Sequence, residues 1–94
     1  MPIERIWEKI RLREYDMTDH AMDEMAEDRL DIVDIENAVL TGRLSRLEKD
    51  DPRGTKYVIE RVAADGITPV GVVGRFTSHG RYLIVTVSEV ANGE

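Results

Sequence analysis

The spacing of apolar residues changes once along this chain, at Gly42, from a helical period to an extended one. Ile3, Ile6, Trp7 and Ile10 fall at i, i+3, i+4 and i+7, which predicts a helix over residues 3–13 with a single apolar stripe. Pro2 suits its first turn, where the missing N–H would have no helical partner anyway. Thr18 is a good N-cap, and Ala21, Met22, Met25 and Ala26 predict a second helix over 18–28. Asp31 offers another cap, and Ile32, Ile35, Ala38 and Val39 predict a third helix over 31–41. Gly42 is expected to close it in the left-handed conformation that glycine tolerates.

Beyond Gly42 the chain reads as strands. Residues 43–48 alternate loosely, and Asp50-Asp51-Pro52-Arg53-Gly54 is a turn. Lys56 to Ala63 is a strand, and Asp65-Gly66 after it is a hairpin signal. Val70 to Phe76 follows, with Gly71 and Gly74 open to a bulge or a close approach. Ser78-His79-Gly80 turns the chain into a last strand, Tyr82 to Val90, apolar enough to be the central one. Helices first and consecutive strands afterwards predict an α+β fold, with two to three N-terminal helices packed on a four-stranded antiparallel β-sheet. Met25, Ile35, Val39, Val72, Ile84 and Val85 are its expected core. Trp7 is expected to anchor its helix either to the domain or to a second subunit. A sheet covered by one helix layer leaves little room for it, which keeps a homodimer through the N-terminal helix as one of the two readings.

Composition narrows the chemistry. Ninety-four residues predict a single domain over 1–94. With no cysteine, disulfides, thiolate metal sites and cysteine nucleophiles are excluded. No apolar run reaches the roughly 18–20 residues that span a bilayer, and the start of the chain does not resemble a signal peptide. A cytoplasmic protein with no membrane partner is expected. Net charge is −6, from 13 Lys+Arg against 19 Asp+Glu, which argues against non-specific nucleic-acid binding by the whole surface. Acids concentrate between Asp16 and Glu36, while Lys56, Arg61, Arg75 and Arg81 lie in the second half and could converge on a phosphate.

His20-Ala21, Met25, Ala26-Glu27 and Leu30, with the acidic run into the next helix, resemble the opening H-A-x-x-R-M-x-E-R-G-I of a small bacterial family, domain of unknown function 4258. Gly42, Tyr57-Val58 and Ile84-Val85-Thr86-Val87 match its later landmarks in order. The resemblance covers residues 15–90 as a family core and leaves 1–14 as a helical extension. It implies an architecture similar to RelE-like and barnase-like RNase toxins, and with it a metal-independent endoribonuclease for which no cofactor is expected. It also implies RNA or the ribosome as target and a cognate antitoxin protein as partner. On that reading His20 carries a proton, since imidazole titrates near neutral pH. Glu24, Tyr57, Arg75 and Thr86 complete the expected catalytic set. The chain departs from the pattern in having Glu24 and Asp28 where the family has arginines, Arg29 where it has glycine, and Ser88 where an aromatic is common. Carboxylates beside a phosphate site repel where cations would attract.

Each candidate has a plainer reading. His20 at a helix start can be a structural hydrogen-bonding residue, and His79 in a turn can simply be exposed. A metal site from both histidines with Asp19 or Asp23 has no ligand spacing behind it. The carboxylates of the second helix can be a solvated face, a helix-dipole complement or a dock for a basic partner. Two functions follow: an RNase toxin of a toxin–antitoxin pair, or a non-catalytic protein-interaction module on the same scaffold.

Overall fold

The computed structural model describes residues 2–62 and 69–89. The order of elements is α1 (Pro2–Arg11), β1 (Tyr15–Met17), α2 (Asp19–Glu27), α3 (Ile32–Thr41), β2 (Arg43–Glu48), β3 (Lys56–Val62), β4 (Pro69–Phe76) and β5 (Tyr82–Glu89). The three helices and the strands after Gly42 are the expected ones. The Asp65-Gly66 hairpin and the ends of the strands at Ala63 and Val90 lie outside the described residues.

The sheet has five strands in the order β1-β5-β4-β3-β2, and it is mixed. The four expected strands form the antiparallel part. The fifth, β1, pairs in parallel with β5 through Tyr15↔Tyr82, Asp16↔Leu83 and Met17↔Ile84. Four-stranded and purely antiparallel were therefore both incorrect. β5 is also not central: β1 lies outside it, and β4 takes the middle place. Three residues carry too little alternation to be read as a strand. What holds them is long-range: the Arg81 guanidinium clamps the Asp16 carboxylate (Nε to Oδ2 2.7 Å) and donates to the Tyr15 carbonyl at 3.0 Å.

All three helices lie on one face of the sheet. Ile3, Ile6 and Ile10 of α1, Ala21 of α2, and Ile35, Ala38 and Val39 of α3 pack into one cluster with Ile59, Val70, Val72, Tyr82, Ile84 and Val87. Of the expected core, Ile35, Val39, Val72 and Ile84 are fully buried. Met25 is half-buried against the cluster, and Val85 is half-buried outside it. A bulge between Val73 and Gly74 explains Val85: Gly74 pairs with Ile84 but Val73 pairs with Thr86, so Val85 is the extra residue. Val87, three residues from Ile84, thereby returns to the helix face.

Trp7 finds its place within its own chain. Its indole packs on the core and donates from Nε1 to the Val39 carbonyl at 2.9 Å, satisfying a carbonyl in the last turn of α3. Of the two anchors expected for Trp7, the domain is the one seen. Gly42 departs from expectation in cause. Its φ is −80°, not left-handed, but a Cβ there would lie 2.4 Å from the Ala38 carbonyl oxygen and 2.8 Å from that of Glu60. Glycine is required because α3 and β3 close on this position.

Candidate functional site

His20 and Glu24 sit one turn apart on α2, whose start is fixed by Thr18. The Thr18 hydroxyl accepts from the Ala21 amide at 3.0 Å and donates to the Val85 carbonyl at 3.2 Å. The Thr18 amide donates to the Ile84 carbonyl at 3.0 Å. α2 is thus fastened along the outer edge of β5 where β1 ends. Glu24 continues the fastening: its Oε1 accepts the Val87 amide at 3.0 Å. The same oxygen lies 3.4 Å from His20 Nε2. The imidazole is 69% exposed and the carboxylate 22%, so the pair forms a half-open dyad at the sheet edge.

Of the expected catalytic set, the structure brings His20 and Glu24 together and distributes the rest. Tyr57 pairs with Gly74 on the helix-covered face, in line with Ile59. Its ring meets Phe76 edge-on at 5.7 Å, and Phe76 meets Tyr82 at 5.2 Å. Arg75 (opposite Leu83) and Thr86 (opposite Val73) point to the other face. Strand alternation alone puts Ile84 and Thr86 on one face; the bulge makes that incorrect. Tyr57 and the Arg75–Thr86 pair are therefore separated by the sheet.

The cations do not converge. Arg81 is committed to Asp16, and its two hydrogen bonds hold that carboxyl below the usual carboxylate range. Lys56 lies 3.8 Å from Glu48 and 3.9 Å from Asp51. Arg61 follows Tyr57 and Ile59 on the helix-covered face, away from Arg75. A shallow open depression lined by Asp50, Asp51, Pro52, Arg53 and Lys56 occupies the β2–β3 turn. Its charges are matched internally: Arg53 holds the Asp51 carboxyl down to about 2, through side-chain bonds first and its own backbone amide second. His79 is exposed in the β4–β5 turn, where its amide donates to Thr77 Oγ1. Among the described residues no group of three or more His, Asp or Glu could hold a metal ion.

Two features had no expectation attached. The Arg5 guanidinium of α1 lies 4.6 Å above the Phe76 ring, a cation–π contact invisible without the register. Tyr82, at 0% exposure, lies against Gly74, where a Cβ would fall 2.6 Å from the phenol oxygen. That oxygen has no hydrogen-bond partner among the described residues. Burial, and then the neighbouring Tyr57, push its ionisation well above the ordinary tyrosine value.

With this geometry in place, the family model described as Domain of unknown function (DUF4258) matches residues 17–89. The chain belongs to that family. Searches of curated proteins and of solved structures gave no match. The matched segment begins at the last residue of β1 and contains the His20–Glu24 dyad, and α1 and most of β1 lie outside it. Both are fastened to the matched residues, α1 through Trp7 and the isoleucine stripe, β1 through Arg81.

Proposed function

We propose that this chain is a non-catalytic protein-interaction module of cytoplasmic setting, built on a scaffold related to RNase toxins. The observation that supports it is the double use of one atom: Glu24 Oε1 faces His20 and also accepts the Val87 amide. A carboxylate committed to holding a helix on a strand edge is a poor proton carrier, because giving up its charge weakens that hold. The neighbours of His20 act in the same direction. Asp19, Asp23 and Glu24 add negative potential where an RNA phosphate would need cations. Arg75 and Thr86 lie on the far face of the sheet. No helix among the described residues is long and apolar enough to cross a membrane.

A second reading, an endoribonuclease toxin held by an antitoxin, is favoured by one observation: the His20 imidazole is largely exposed with a carboxylate beside it. That arrangement suits a general base at a substrate-accessible edge. Incubating the purified protein with total RNA and with a defined single-stranded oligonucleotide decides between the two. The module reading expects no cleavage, and equal growth on induced expression of wild type and His20→Ala. Cleavage lost in His20→Ala and increased in Glu24→Arg would establish the toxin reading instead.

A further inference from the structure

The outward side of α2 is a line of unmatched charge beside exposed apolar groups. Asp19, Met22, Asp23, Ala26 and Glu27 are all exposed and recur at i, i+3 and i+4, opposite buried Ala21. Asp19, Asp23 and Glu27 stand at successive i, i+4 positions, where like charges destabilise a helix. Among the described residues no cation lies within ion-pair distance of any of the three. Met22 is 43% exposed beside them.

The end of α1 has the complementary character. Leu12 is 60% exposed between exposed Arg11 and Arg13. The turn that displays them is fixed: the Glu14 amide donates to the Lys9 carbonyl at 2.8 Å, and the Arg13 amide to that of Ile10 at 3.1 Å. This closes the helix with Arg13 in the left-handed conformation, φ 58°. Neither guanidinium pairs with a carboxylate among the described residues, so knob and stripe are not joined to each other within the chain.

We infer that a second copy of this chain joins them: the Arg11-Leu12-Arg13 knob of one protomer docks on the Met22–Ala26 line of its partner, each guanidinium facing carboxylates of the Asp19–Asp23–Glu27 column. Only β1 separates knob from stripe along the chain, and a two-fold pair uses both features twice, forming an isologous interface. The knob's apolar tip is small and its charges are exposed, so the association is weak and salt-sensitive. It is independent of whether the chain cuts RNA.

Sedimentation equilibrium of the full chain over a concentration series tests this in 50 mM and 500 mM NaCl, with wild type, Arg11→Glu/Arg13→Glu and Asp23→Arg/Glu27→Arg. Circular dichroism checks that each variant is folded. Wild type is expected to dimerise in low salt, and high salt to weaken the dimer tenfold or more. Each double variant alone is expected to be monomeric, and their equimolar mixture to restore a dimer. The proposal is overturned by a wild type that stays monomeric at millimolar concentration in low salt, or by dimerisation that both double variants retain. An α2 face that binds a leucine-spaced oligolysine peptide on a chain that does not self-associate would also overturn it, by assigning the stripe to a separate basic partner.

Discussion

Glu24 and Val87, 63 residues apart, are joined by a 3.0 Å hydrogen bond that takes the place of a strand. β1 ends at Met17, and beyond it the edge of β5 has polar groups but, among the described residues, no neighbouring strand. Thr18 and Glu24 supply the missing partners from a helix, closing an edge that would otherwise be open to other chains. Glu24→Ala is therefore expected to lower stability by about 1–3 kcal/mol, the usual range when a partly buried amide loses a charged acceptor. Glu24→Gln keeps an acceptor and should lose less. Urea denaturation of the three proteins measures this, and equal midpoints for wild type and Glu24→Ala would show that the bond does not hold α2.

Gly42 and Gly80 separate two reasons for glycine. At Gly42 the backbone is within reach of any residue, but a Cβ would collide with two carbonyl oxygens and the Ile59 side chain at 2.9 Å. At Gly80 nothing lies within 4 Å, and only φ of 79° favours glycine. Gly42→Ala is expected to destabilise by roughly 1–3 kcal/mol or more, as overpacking does. Gly80→Ala should lose about 1 kcal/mol, the conformational preference alone. Thermal unfolding of the pair ranks them, and the reverse order would refute the steric account of Gly42.

Arg29 occupies a position where the backbone calls for glycine. Its φ is 58°, its amide donates to Ala26 and that of Leu30 to Met25, so it ends α2 in the left-handed conformation. Arg29→Gly is expected to stabilise the chain by up to about 1 kcal/mol, since side chains are strained there and glycine is not. For a chain of this length that is a rise in Tm of about 4–8 °C. An unchanged or lower Tm would mean that the guanidinium makes a contribution that offsets its backbone strain.

How far the sequence could be read follows from these same residues. Helices α1–α3 were legible because cap, stripe and stop agree locally, as at Thr18, Ala21 and Met25. The strands after Gly42 were legible as segments, but their faces were not: one bulge at Val73/Gly74 separates Ile84 from Thr86 and moves Val87 into the core. β1 was illegible because Tyr15–Met17 is ordered by β5 and Arg81, about 65 residues away. In the site, the His20–Glu24 pair was visible as an i, i+4 spacing. The commitment of Glu24 to Val87 was not, since a backbone acceptor or donor leaves no mark in the sequence.

Tyr82 and Tyr15 give the chain a predictable response to alkali. Burial raises the ionisation of both phenols above the ordinary value of 10.0, with Tyr57 adding to it at Tyr82 and the hydrogen bond to Glu36 at Tyr15. In the unfolded chain both ionise near that ordinary value. Above it the unfolded state binds fewer protons than the folded one, so these two groups take nothing from stability below about pH 10 and lower it as pH rises further. Each tyrosine replaced by phenylalanine should make that fall shallower. At pH 7 the two variants should part. Tyr15→Phe loses a 2.5 Å bond to the Glu36 carboxylate and should be less stable by about 1–2 kcal/mol. Tyr82→Phe removes a buried hydroxyl with no described partner and should be as stable as wild type or more so. Urea midpoints at intervals from pH 7 to 11 test both. A Tyr82→Phe protein weaker than wild type at pH 7 would show that its hydroxyl is bonded in solution, and the aromatic row from Tyr57 to Tyr82 would then have a polar role as well as a packing one.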